Sequence, residues 1–370
     1  MKILHLMMNE KFTKGVAAYY DSYLNNGQHE IGYVHPVKED SLIDPGLAIP
    51  QYDFFTEGAN PVACALKFKK LLKEYDHIVL HSIFVLGRFS SLLYLLSKSE
   101  MKKLVWIEWG SDLYDSCTGL KKMLRDRVKR SVGAFVAVFP PDQDVYRRLY
   151  PQSKAKVFFA RYLGRTKEMN ISYTDQIWEA PRLKTTVENK EPVYVLIGHN
   201  GQEQLNHLDV LKRLEAYKDE DIRVVLSLSY GGAPEYVESV ASEAKRIFGE
   251  KAIIMKDFMA RDEYFRLMER IDIAVFDTAR QTGLSNLNKL LCHKVKLYMR
   301  SGGMMYGYFV ENGFPIQDCA VIGVQDFQEF SAPAAYDYGD NSKALDYFVY
   351  LSDSDRITED WMRIYRGLRE

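Results

Sequence analysis

Short apolar runs alternate with amphipathic stretches along most of this chain, and this alternation constrains the fold more than any other feature. The runs are rich in Val, Ile, Leu and Phe and show little polar alternation, as strands covered on both faces do. In the first half they fall at Ile3–Met8, Glu30–Val34, His77–Ile83, Lys103–Glu108, Ala134–Phe139 and Val157–Arg161. Strands that alternate with helices predict an α/β fold with parallel sheets.

The helical patterns of the first half lie between these runs, at Lys14–Leu24, Val62–Tyr75, Gly87–Leu96, Leu120–Ser131 and Asp142–Tyr150. The rhythm then stops. Residues 164–192 are polar and charged, and they contain Pro181 and Pro192. A polar stretch of this kind is typical of a junction between domains.

The same rhythm resumes after the junction. Strands are predicted at Val193–Ile197, Ile222–Ser227, Ala252–Met255, Ile271–Phe276 and Val295–Tyr298, and helices at Gln204–Tyr217, Pro234–Phe248, Arg261–Arg270 and Gly283–His293. Two such series predict two Rossmann-like domains that face a cleft, over residues 1–185 and 190–340. Residues 341–370 are predicted to be helical, at Asn341–Leu351 and Asp360–Leu368, and are candidates to pack across the junction.

Composition excludes several classes of protein. The 49 Lys and Arg residues against 50 Asp and Glu give a formal net charge of −1, unlike proteins that coat nucleic acid. The four cysteines are scattered without a CxxC pair, which excludes a zinc knuckle and fits a reducing compartment. No apolar run reaches the ~18 residues of a membrane span. We therefore expect a cytoplasmic protein whose membrane contact, if any, is peripheral.

Ligands of open parallel sheets bind beyond the carboxyl ends of the strands, and two turns there suit an anion. One is Gly198-His199-Asn200-Gly201, after Val193–Ile197, and the other is the Asp277–Gly283 segment, after Ile271–Phe276. Glycine lets the backbone approach a ligand, a helix N-terminus holds an anion, and Arg280 supplies paired donors. The alternatives are a tight turn and an exposed Arg280 paired with Asp277.

Two further strand ends carry candidate residues. Tyr230-Gly231 follows Ile222–Ser227, where the tyrosine could stack on a ligand or pack. The run Trp109-Gly110-Ser111-Asp112-Leu113-Tyr114 follows Lys103–Glu108. A carboxylate beside a tryptophan can act as a general base, although Asp112 could equally cap a helix. His81, near the end of its strand, is a candidate too, but a lone strand histidine is usually a core residue.

The segment 121–130 is strongly basic. Its cations are Lys121, Lys122, Arg125, Arg127, Lys129 and Arg130, against the single acid Asp126. Leu120, Leu124 and Val128 recur every four residues and would share one helix face. An apolar stripe flanked by cations suits an anionic membrane surface. The alternative is an ordinary helix that packs on the core and solvates its basic side.

Three motifs, WGSDLY at 109–114, IGHNG at 197–201 and ARQTG at 279–283, together resemble one family. It comprises the bacterial 4-alpha-L-fucosyltransferase-type enzymes that move 4-acetamido-4,6-dideoxygalactose from dTDP to a polyprenyl-linked oligosaccharide in enterobacterial common antigen synthesis. The likeness covers about residues 77–150 and 193–300. WGSDLY resembles the family's Trp-Gly-Ala-Asp-Leu-Tyr run, ARQTG its Ala-Arg-Gln-Gln-Gly run, and HSIF at His81 its His-Gly-Gln-Phe run.

The resemblance implies a GT-B fold, a nucleotide-sugar donor on the C-terminal domain, and a lipid-linked acceptor approached from the N-terminal domain at the inner membrane's cytoplasmic face. The residues implied to bind the donor diphosphate are Gly198, Asn200, Gly201, Arg280, Gln281 and Gly283. Tyr230 and Gly231 are added as substrate-binding candidates. Trp109, Gly110 and Tyr114 would border the reacting sugar or acceptor. Asp112 is the expected general base, with Glu108 and His81 in reserve.

We expect the transfer to need no metal and no cofactor, because no Asp-x-Asp pair follows a predicted strand. Asp353-Ser-Asp-Arg has that spacing, but it lies in a polar stretch near the C-terminus. A second hypothesis is a non-catalytic nucleotide-binding module of a polysaccharide assembly complex. Such a module would keep Arg280 and the glycines but would need no base.

Overall fold

The computed structural model describes residues 1–7, 30–34, 60–161, 191–257 and 261–370, together with the single residues Val16, Tyr19, Leu24, Tyr173, Thr174, Ile177 and Met259. The chain forms two compact units. The first is Met1–Asn170 with Asp353–Glu370, and the second is Ile171–Ser352. The predicted helix Lys14–Leu24 and the predicted junction at 164–192 lie largely outside the described residues.

The strands, in chain order, are β1 (Lys2–Leu6), β2 (Glu30–Val34), β3 (His77–His81), β4 (Leu104–Ile107), β5 (Ala134–Ala137), β6 (Lys156–Phe159), β7 (Val193–Ile197), β8 (Ile222–Ser227), β9 (Ala252–Met255), β10 (Ile273–Phe276), β11 (Lys296–Met299) and β12 (Gln317–Asp318). They form two sheets, with orders β2-β1-β3-β4-β5-β6 and β12-β11-β10-β7-β8-β9. Neighbouring strands of both sheets run parallel. The predicted α/β architecture with parallel sheets is what the chain adopts.

The helices are α1 (Pro61–Glu74), α2 (Lys98–Met101), α3 (Gly119–Ser131), α4 (Asp142–Leu149), α5 (His207–Leu214), α6 (Pro234–Phe248), α7 (Arg261–Met268), α8 (Leu284–Cys292), α9 (Met304–Glu311), α10 (Phe327–Ser331), α11 (Lys343–Ser352) and α12 (Ser354–Arg369). The helix predicted at Gly87–Leu96 is a 3₁₀ segment over Gly87–Leu95. The predicted helix Gln204–Tyr217 is broken, because Asn206 adopts a left-handed φ of 50° between a 3₁₀ turn and α5.

The central strands of each sheet are covered on both faces. All four residues of β4, β5 and β10 are buried, which explains their unbroken apolar sequences. Helix α6 shows how the covering layer forms. It begins with proline at its first turn, ends at Gly249 with φ of 53°, and buries one face, formed by Val240, Ala241, Ala244, Ile247 and Phe248. Burying each larger side chain contributes roughly 1.5–3 kcal/mol.

The two C-terminal helices belong to different units. Helix α11 lies within the second unit, whereas α12 returns to the first. Trp361 and Tyr365 of α12 are fully buried against the first sheet's core. The Trp361 indole N–H donates to the carbonyl of Arg161 at 3.0 Å. Of residues 341–370, predicted as C-terminal helices, those up to Ser352 belong to the second unit and those from Asp353 to the first.

Candidate functional site

Three turns meet at the carboxyl edge of the second sheet, where β7, β8 and β10 are neighbours. The N–H of Gly201 donates to the carbonyl of Tyr230 at 2.8 Å, so the β7 and β8 turns are joined directly. The N–H of Gly198 donates to the carbonyl of Val275 at 2.9 Å, which joins the β7 turn to β10. The structure thus brings together the candidate residues from these three strand ends.

Arg280 and Gln281 lie in the turn that leads into α8. The Arg280 guanidinium donates through Nε to the side-chain oxygen of Gln204, and Gln281 is buried. Gly283 is the residue before α8 and has a φ of 61°, a left-handed value that favours glycine. The first turn of α8 contains no acidic side chain, so its N–H groups face no local carboxylate. A guanidinium and a helix N-terminus in one turn are chemically suited to an anion.

Asp277, a buried residue at the start of this turn, holds it in place through ion pairs. It is 1% exposed, and its two carboxylate oxygens pair with Arg213 at 3.1 Å and Arg300 at 2.7 Å. The Asn206 side chain donates to the Asp277 carbonyl at 2.7 Å. The ion pair between Asp277 and Arg280 considered from the sequence is therefore replaced by pairs with two other arginines. Neither of these arginines was singled out, because both come from other elements of the chain.

Tyr230 and Gly231 border the same edge. The Tyr230 ring is 39% exposed and lies edge-on to His199, with ring centres 6.4 Å apart. Burial raises the pKa of its hydroxyl, and a hydrogen bond with the side chain of Asn200 lowers it in part. Gly231 has a φ of 84° and passes close to Gln202. Tyr230 is thus open to a ligand on one side and held by the site on the other.

In the first unit, the loop Trp109–Tyr114 is organised around Asp112. This carboxylate is fully buried, and each of its oxygens accepts two hydrogen bonds. The donors are the Ile83 N–H (3.1 Å), the Trp106 indole (2.7 Å), the Trp109 N–H (2.8 Å) and the Leu113 N–H (3.1 Å). Asp112 therefore connects the ends of β3 and β4 to the loop, and it does not cap a helix.

Glu108 has a different environment. It is fully buried and accepts backbone hydrogen bonds from Gly110, whose φ is 73°, and from Val138. Burial raises the pKa of its carboxyl well above the usual range, and the negative charges of Asp142 and Asp112 raise it further. Asp142 in turn accepts a hydrogen bond from the hydroxyl of Tyr114. Asp142, missed from the sequence, therefore connects Tyr114 to the same group of carboxylates.

This environment predicts an unusual pH dependence of stability. The folded state holds the proton of Glu108 more tightly than the unfolded state does. The stabilisation that this proton gives the folded state is therefore complete when the pH is below 4.5, the ordinary pKa of the carboxyl. It is lost as the pH rises through the higher pKa of the folded state. Glutamine mimics the protonated carboxyl. We expect Glu108→Gln to gain stability relative to the wild type from about pH 5 to pH 9, measured by chemical denaturation. The control is Glu74→Gln at an exposed site on α1. If the free energy of unfolding of the wild type and of Glu108→Gln changed with pH in the same way, the raised pKa of Glu108 would be refuted.

His81 takes part in a buried chain rather than in an open site. Its Nε2 lies 2.9 Å from Nδ1 of His5, and Nε2 of His5 lies 3.1 Å from the hydroxyl of Tyr365. Burial lowers the pKa of His81 to about 3, so its ring is a poor proton acceptor. This is the core role considered for His81 from the sequence, and it joins β1 and β3 to α12.

The side-chain contacts of the basic helix α3 correct part of the membrane-contact surface predicted from the sequence. Lys129 is 2% exposed and lies 3.7 Å from Asp115, with which Arg125 also forms an ion pair at 2.6 Å. Arg127 donates to two backbone carbonyls of the preceding 3₁₀ region. The membrane contact predicted for Arg125, Arg127 and Lys129 is therefore not supported, because these side chains are held within the first unit.

The predicted apolar stripe of α3 lies on one helix face, but only its carboxyl-terminal end is buried. Val128 is buried and Leu124 half-buried, whereas Leu120 is 69% exposed, beside Met123 at 67%. The exposed cations are Lys121, Lys122 and Arg130, and Lys122 forms an ion pair with Asp126. The surface that remains for a membrane is the amino-terminal half of α3 together with Arg130.

The Asp-x-Asp pattern at the C-terminus has a structural role. Asp353 caps α12, accepting from the N–H groups of Asp355 and Arg356.

Within the described ranges, no three His, Cys, Asp or Glu side chains are grouped so as to hold a metal ion. Of the helices in the part of the chain that the structure describes, none has the length and apolar character needed to cross a membrane.

The family model for 4-alpha-L-fucosyltransferases, glycosyl transferase group 56, matches residues 56–312, more than half of the chain. The chain belongs to this family. The match spans the loop at Asp112 and all three turns at the edge of the second sheet. The family-level resemblance drawn from the three motifs is thereby confirmed, and the protein is a glycosyltransferase. The matching family is one of transferases, which does not favour the hypothesis of a non-catalytic module.

Solved structures share the fold at low identity. A glycosyltransferase from Rickettsia africae ESF-5 matches with a TM-score of 0.65 and 14% identity, over 100% of this chain and 98% of that one. Anabaena HepE, in complex with UDP, matches with a TM-score of 0.62 and 14% identity, over 99% and 100%. A sucrose-phosphate synthase from Thermosynechococcus elongatus matches with a TM-score of 0.64 and 11% identity, over 100% and 99%. The expected GT-B-like α/β fold is confirmed.

Proposed function

We propose that this glycosyltransferase moves an aminodeoxyhexose, such as 4-acetamido-4,6-dideoxygalactose, from a dTDP-sugar to a polyprenyl-diphosphate-linked oligosaccharide, in the synthesis of a surface polysaccharide such as enterobacterial common antigen. The observation that carries the proposal is the meeting of Arg280, Gln281 and the N-terminus of α8 at the carboxyl edge of the second sheet. The family supports glycosyl transfer. The similarity to HepE, solved with UDP and with UDP-glucose, supports a nucleotide-sugar donor.

The second unit would stabilise the leaving group. As the bond between sugar and diphosphate breaks, negative charge grows on the diphosphate. Arg280 would neutralise it with paired N–H donors, and the N–H groups at the start of α8 would add fixed donors that need no reorganisation. Gly198 and Gly201 let the β7 turn pack closely within the second unit, because a Cβ atom would lie 2.9 Å from Leu205 at Gly198 and 3.0 Å from Val237 at Gly201. These groups can stabilise the charge without a metal ion, so we propose metal-independent transfer.

The first unit would bind the acceptor, with Trp109 and Tyr114 bordering the reacting hydroxyl. Of the three residues predicted as the base, Glu108 has the chemistry that fits best. Burial and the neighbouring carboxylates raise its pKa, and each of its two oxygens accepts one backbone hydrogen bond, whereas the oxygens of Asp112 accept four hydrogen bonds in total. We assign Asp112 a positioning role, because it holds the loop that carries Trp109 and Tyr114.

A lipid-linked acceptor implies a peripheral position on the cytoplasmic face of the inner membrane. The exposed end of α3 supports this position. Lys121, Lys122 and Arg130 are exposed cations, and Leu120 and Met123 are exposed apolar side chains near them. A basic surface of this kind is attracted to anionic lipid headgroups, at about 1 kcal/mol for each cation near the surface.

A thermal-shift panel tests the donor. Ligands that bind only the native state raise the melting temperature by mass action, and the free nucleoside diphosphate contains the diphosphate that the site would hold. We expect dTDP to raise the Tm more than UDP, GDP or CDP, equally with magnesium or with a chelator. A larger rise in Tm with UDP or GDP would agree with a glycosyltransferase but would refute dTDP as the nucleotide of its donor. A rise that requires magnesium would refute metal independence, and no rise with any nucleotide would refute the diphosphate site.

A further inference from the structure

Helix α1 exposes an apolar and cationic stripe on the side opposite its buried face. The buried face is formed by Cys64, Phe68, Leu71 and Leu72. On the opposite side, Val62 and Leu66 are each 67% exposed, and Lys70 and Lys73, one and two turns further along, are exposed too. We call these four residues the outer face of α1. It is apolar in the first two turns of the helix and cationic towards its end.

The outer face is carried by a well-anchored helix. The side chain of Asn60 caps the helix by accepting from the N–H of Val62 at 2.8 Å. Lys69 forms an ion pair with Glu100 at 2.6 Å, which joins α1 to α2. Lys103 donates to two backbone carbonyls at the end of α1. The exposure of the apolar residues is therefore a property of a fixed helix and does not come from a frayed end.

The outer face of α1 belongs to the same layer as the basic helix α3. From β2 to β6 the chain moves in one direction across the first sheet, and crossovers between parallel strands are right-handed, so α1, the 3₁₀ segment and α3 cover one face of the sheet. The 3₁₀ segment packs against both helices. Because α1 ends just before β3 begins and α3 follows the end of β4, both helices start near the carboxyl edge of the sheet.

Exposed apolar side chains are concentrated in this layer. Within the described ranges of the first unit, six large apolar residues are exposed, and five of them lie between positions 62 and 123. These five are Val62, Leu66, Leu95, Leu120 and Met123. Single exposed apolar residues are ordinary on a protein surface, but a concentration of them marks a surface that binds something.

The charge of the same layer indicates what it binds. Residues 60–131 contain 14 Lys and Arg residues against 7 Asp and Glu, although the whole chain has a formal net charge of −1. The exposed acids of this range are Glu74 and Asp76, which lie at the far end of α1 from Val62. Exposed apolar side chains beside an excess of cations are complementary to a surface of anionic headgroups over acyl chains.

We propose that the outer face of α1 binds an anionic phospholipid bilayer, with Val62 and Leu66 inserted at the boundary of headgroups and acyl chains and with Lys70 and Lys73 on the lipid phosphates. The inference rests on the proposed function, to which it adds a second membrane-binding helix beside α3. Since both helices start near the edge that carries Trp109 and Tyr114, a polyprenyl chain could stay in the bilayer while its oligosaccharide reaches that edge.

The apolar part is tested by sedimentation of the full chain with vesicles made of equal parts of phosphatidylglycerol and phosphatidylcholine. Leu66→Gln keeps the length and the helix propensity but removes the apolar end, and we expect it to lower the partition coefficient by about tenfold. Leu66→Met, which stays apolar, should remain within about threefold of the wild type. The control is Val349→Gln, at an exposed apolar site on α11 of the second unit.

The cationic part is tested with the double variant Lys70→Gln/Lys73→Gln. Because each cation near an anionic membrane contributes about 1 kcal/mol, we expect partition to fall by roughly ten- to thirtyfold at low salt and by less at high salt. The control is Lys212→Gln/Lys245→Gln, at two exposed lysines of the second unit, and it should stay within about threefold of the wild type. Wild-type binding to vesicles of phosphatidylcholine alone should be much weaker.

The outcomes separate this inference from the proposed function. If the wild type binds the anionic vesicles and the α1 variants bind them equally well, the role of α1 is refuted while the peripheral position stands. Equal wild-type binding to both kinds of vesicle would refute the charge complementarity. If sedimentation velocity without vesicles shows a dimer that the α1 variants dissociate, the outer face is an interface between two copies and the inference is overturned.

A wild-type chain that binds no vesicles would refute both the outer face of α1 as a membrane surface and the peripheral position. The donor site would not be affected by that result, because its thermal-shift panel contains no lipid. Failure of the panel with vesicle binding intact would instead refute the diphosphate site and leave the membrane surface in place.

Discussion

Replacing Arg280 with alanine is expected to weaken dTDP binding by about ten- to a hundredfold. The guanidinium is the cationic side chain in the turn before α8, and a hydrogen bond to a charged group is worth about 1.5–3 kcal/mol, where each 1.4 kcal/mol is a factor of ten. The folded state should be little affected, because Arg280 is only half-buried and its Nε donates to the neutral side chain of Gln204. Isothermal titration calorimetry measures the change.

Two further variants act as controls for Arg280. Arg280→Lys keeps the charge but loses the paired donors, so we expect an intermediate affinity. Arg246→Ala removes a mostly exposed arginine of α6 that pairs with Glu243 in the same unit, and it should bind dTDP as the wild type does. Unchanged affinity in Arg280→Ala would exclude this turn as the diphosphate site. An equal loss in Arg246→Ala would indicate a general effect of charge.

Replacing Asp112 with asparagine is expected to destabilise the first unit strongly. Asparagine keeps one acceptor oxygen and puts an NH₂ group where the other accepted two hydrogen bonds. Two buried donors would lose their partner, at about 1–3 kcal/mol for each. We expect a fall in Tm of about 5 °C or more in calorimetric scans, while dTDP affinity, a property of the second unit, stays within about twofold.

The matched control is Asp144→Asn, which removes an exposed carboxylate of α4 paired with Arg147 and should leave the Tm unchanged. Kinetics then separate the two roles considered for Asp112. If it positions the loop, kcat of the folded Asp112→Asn variant should stay within about tenfold of the wild type. A variant as stable as the wild type whose kcat falls a hundredfold or more would contradict this account and identify Asp112 as the base.

The elements that could be predicted from the sequence are those with both a clear apolar period and marked ends. Helix α6 and strand β9 match their predicted bounds to the residue, because proline starts α6 and Gly249 ends it. Helix α9 was missed. It contains Met, Tyr, Phe and Val on every side, so no amphipathic period marks it. The break at Asn206 was missed too, because a left-handed asparagine depends on its tertiary contacts.

In the candidate site, the positions of the turns could be predicted from the sequence, but the contacts of their side chains could not. The turns that carry Gly198, Arg280 and Trp109 follow from where the strands end, so a linear pattern was enough to locate them. The partners of each side chain were not predictable, because they come from distant parts of the chain. Asp112 reads as a base in its loop and becomes a structural acceptor only when the end of β3 lies beside it. Lys129, predicted on the exposed basic face of α3, is likewise buried and paired with Asp115.

The most direct measurement of the central claim is transfer itself. The full chain is incubated with a radiolabelled dTDP-aminodeoxyhexose and vesicles that contain a polyprenyl-diphosphate-linked oligosaccharide, in the presence of a chelator. We expect label to move into the lipid fraction with the wild type, and much more slowly with Arg280→Ala at low donor concentration. Transfer from a UDP-sugar but not from the dTDP-sugar, or label that stays on the nucleotide with every donor, would contradict the account.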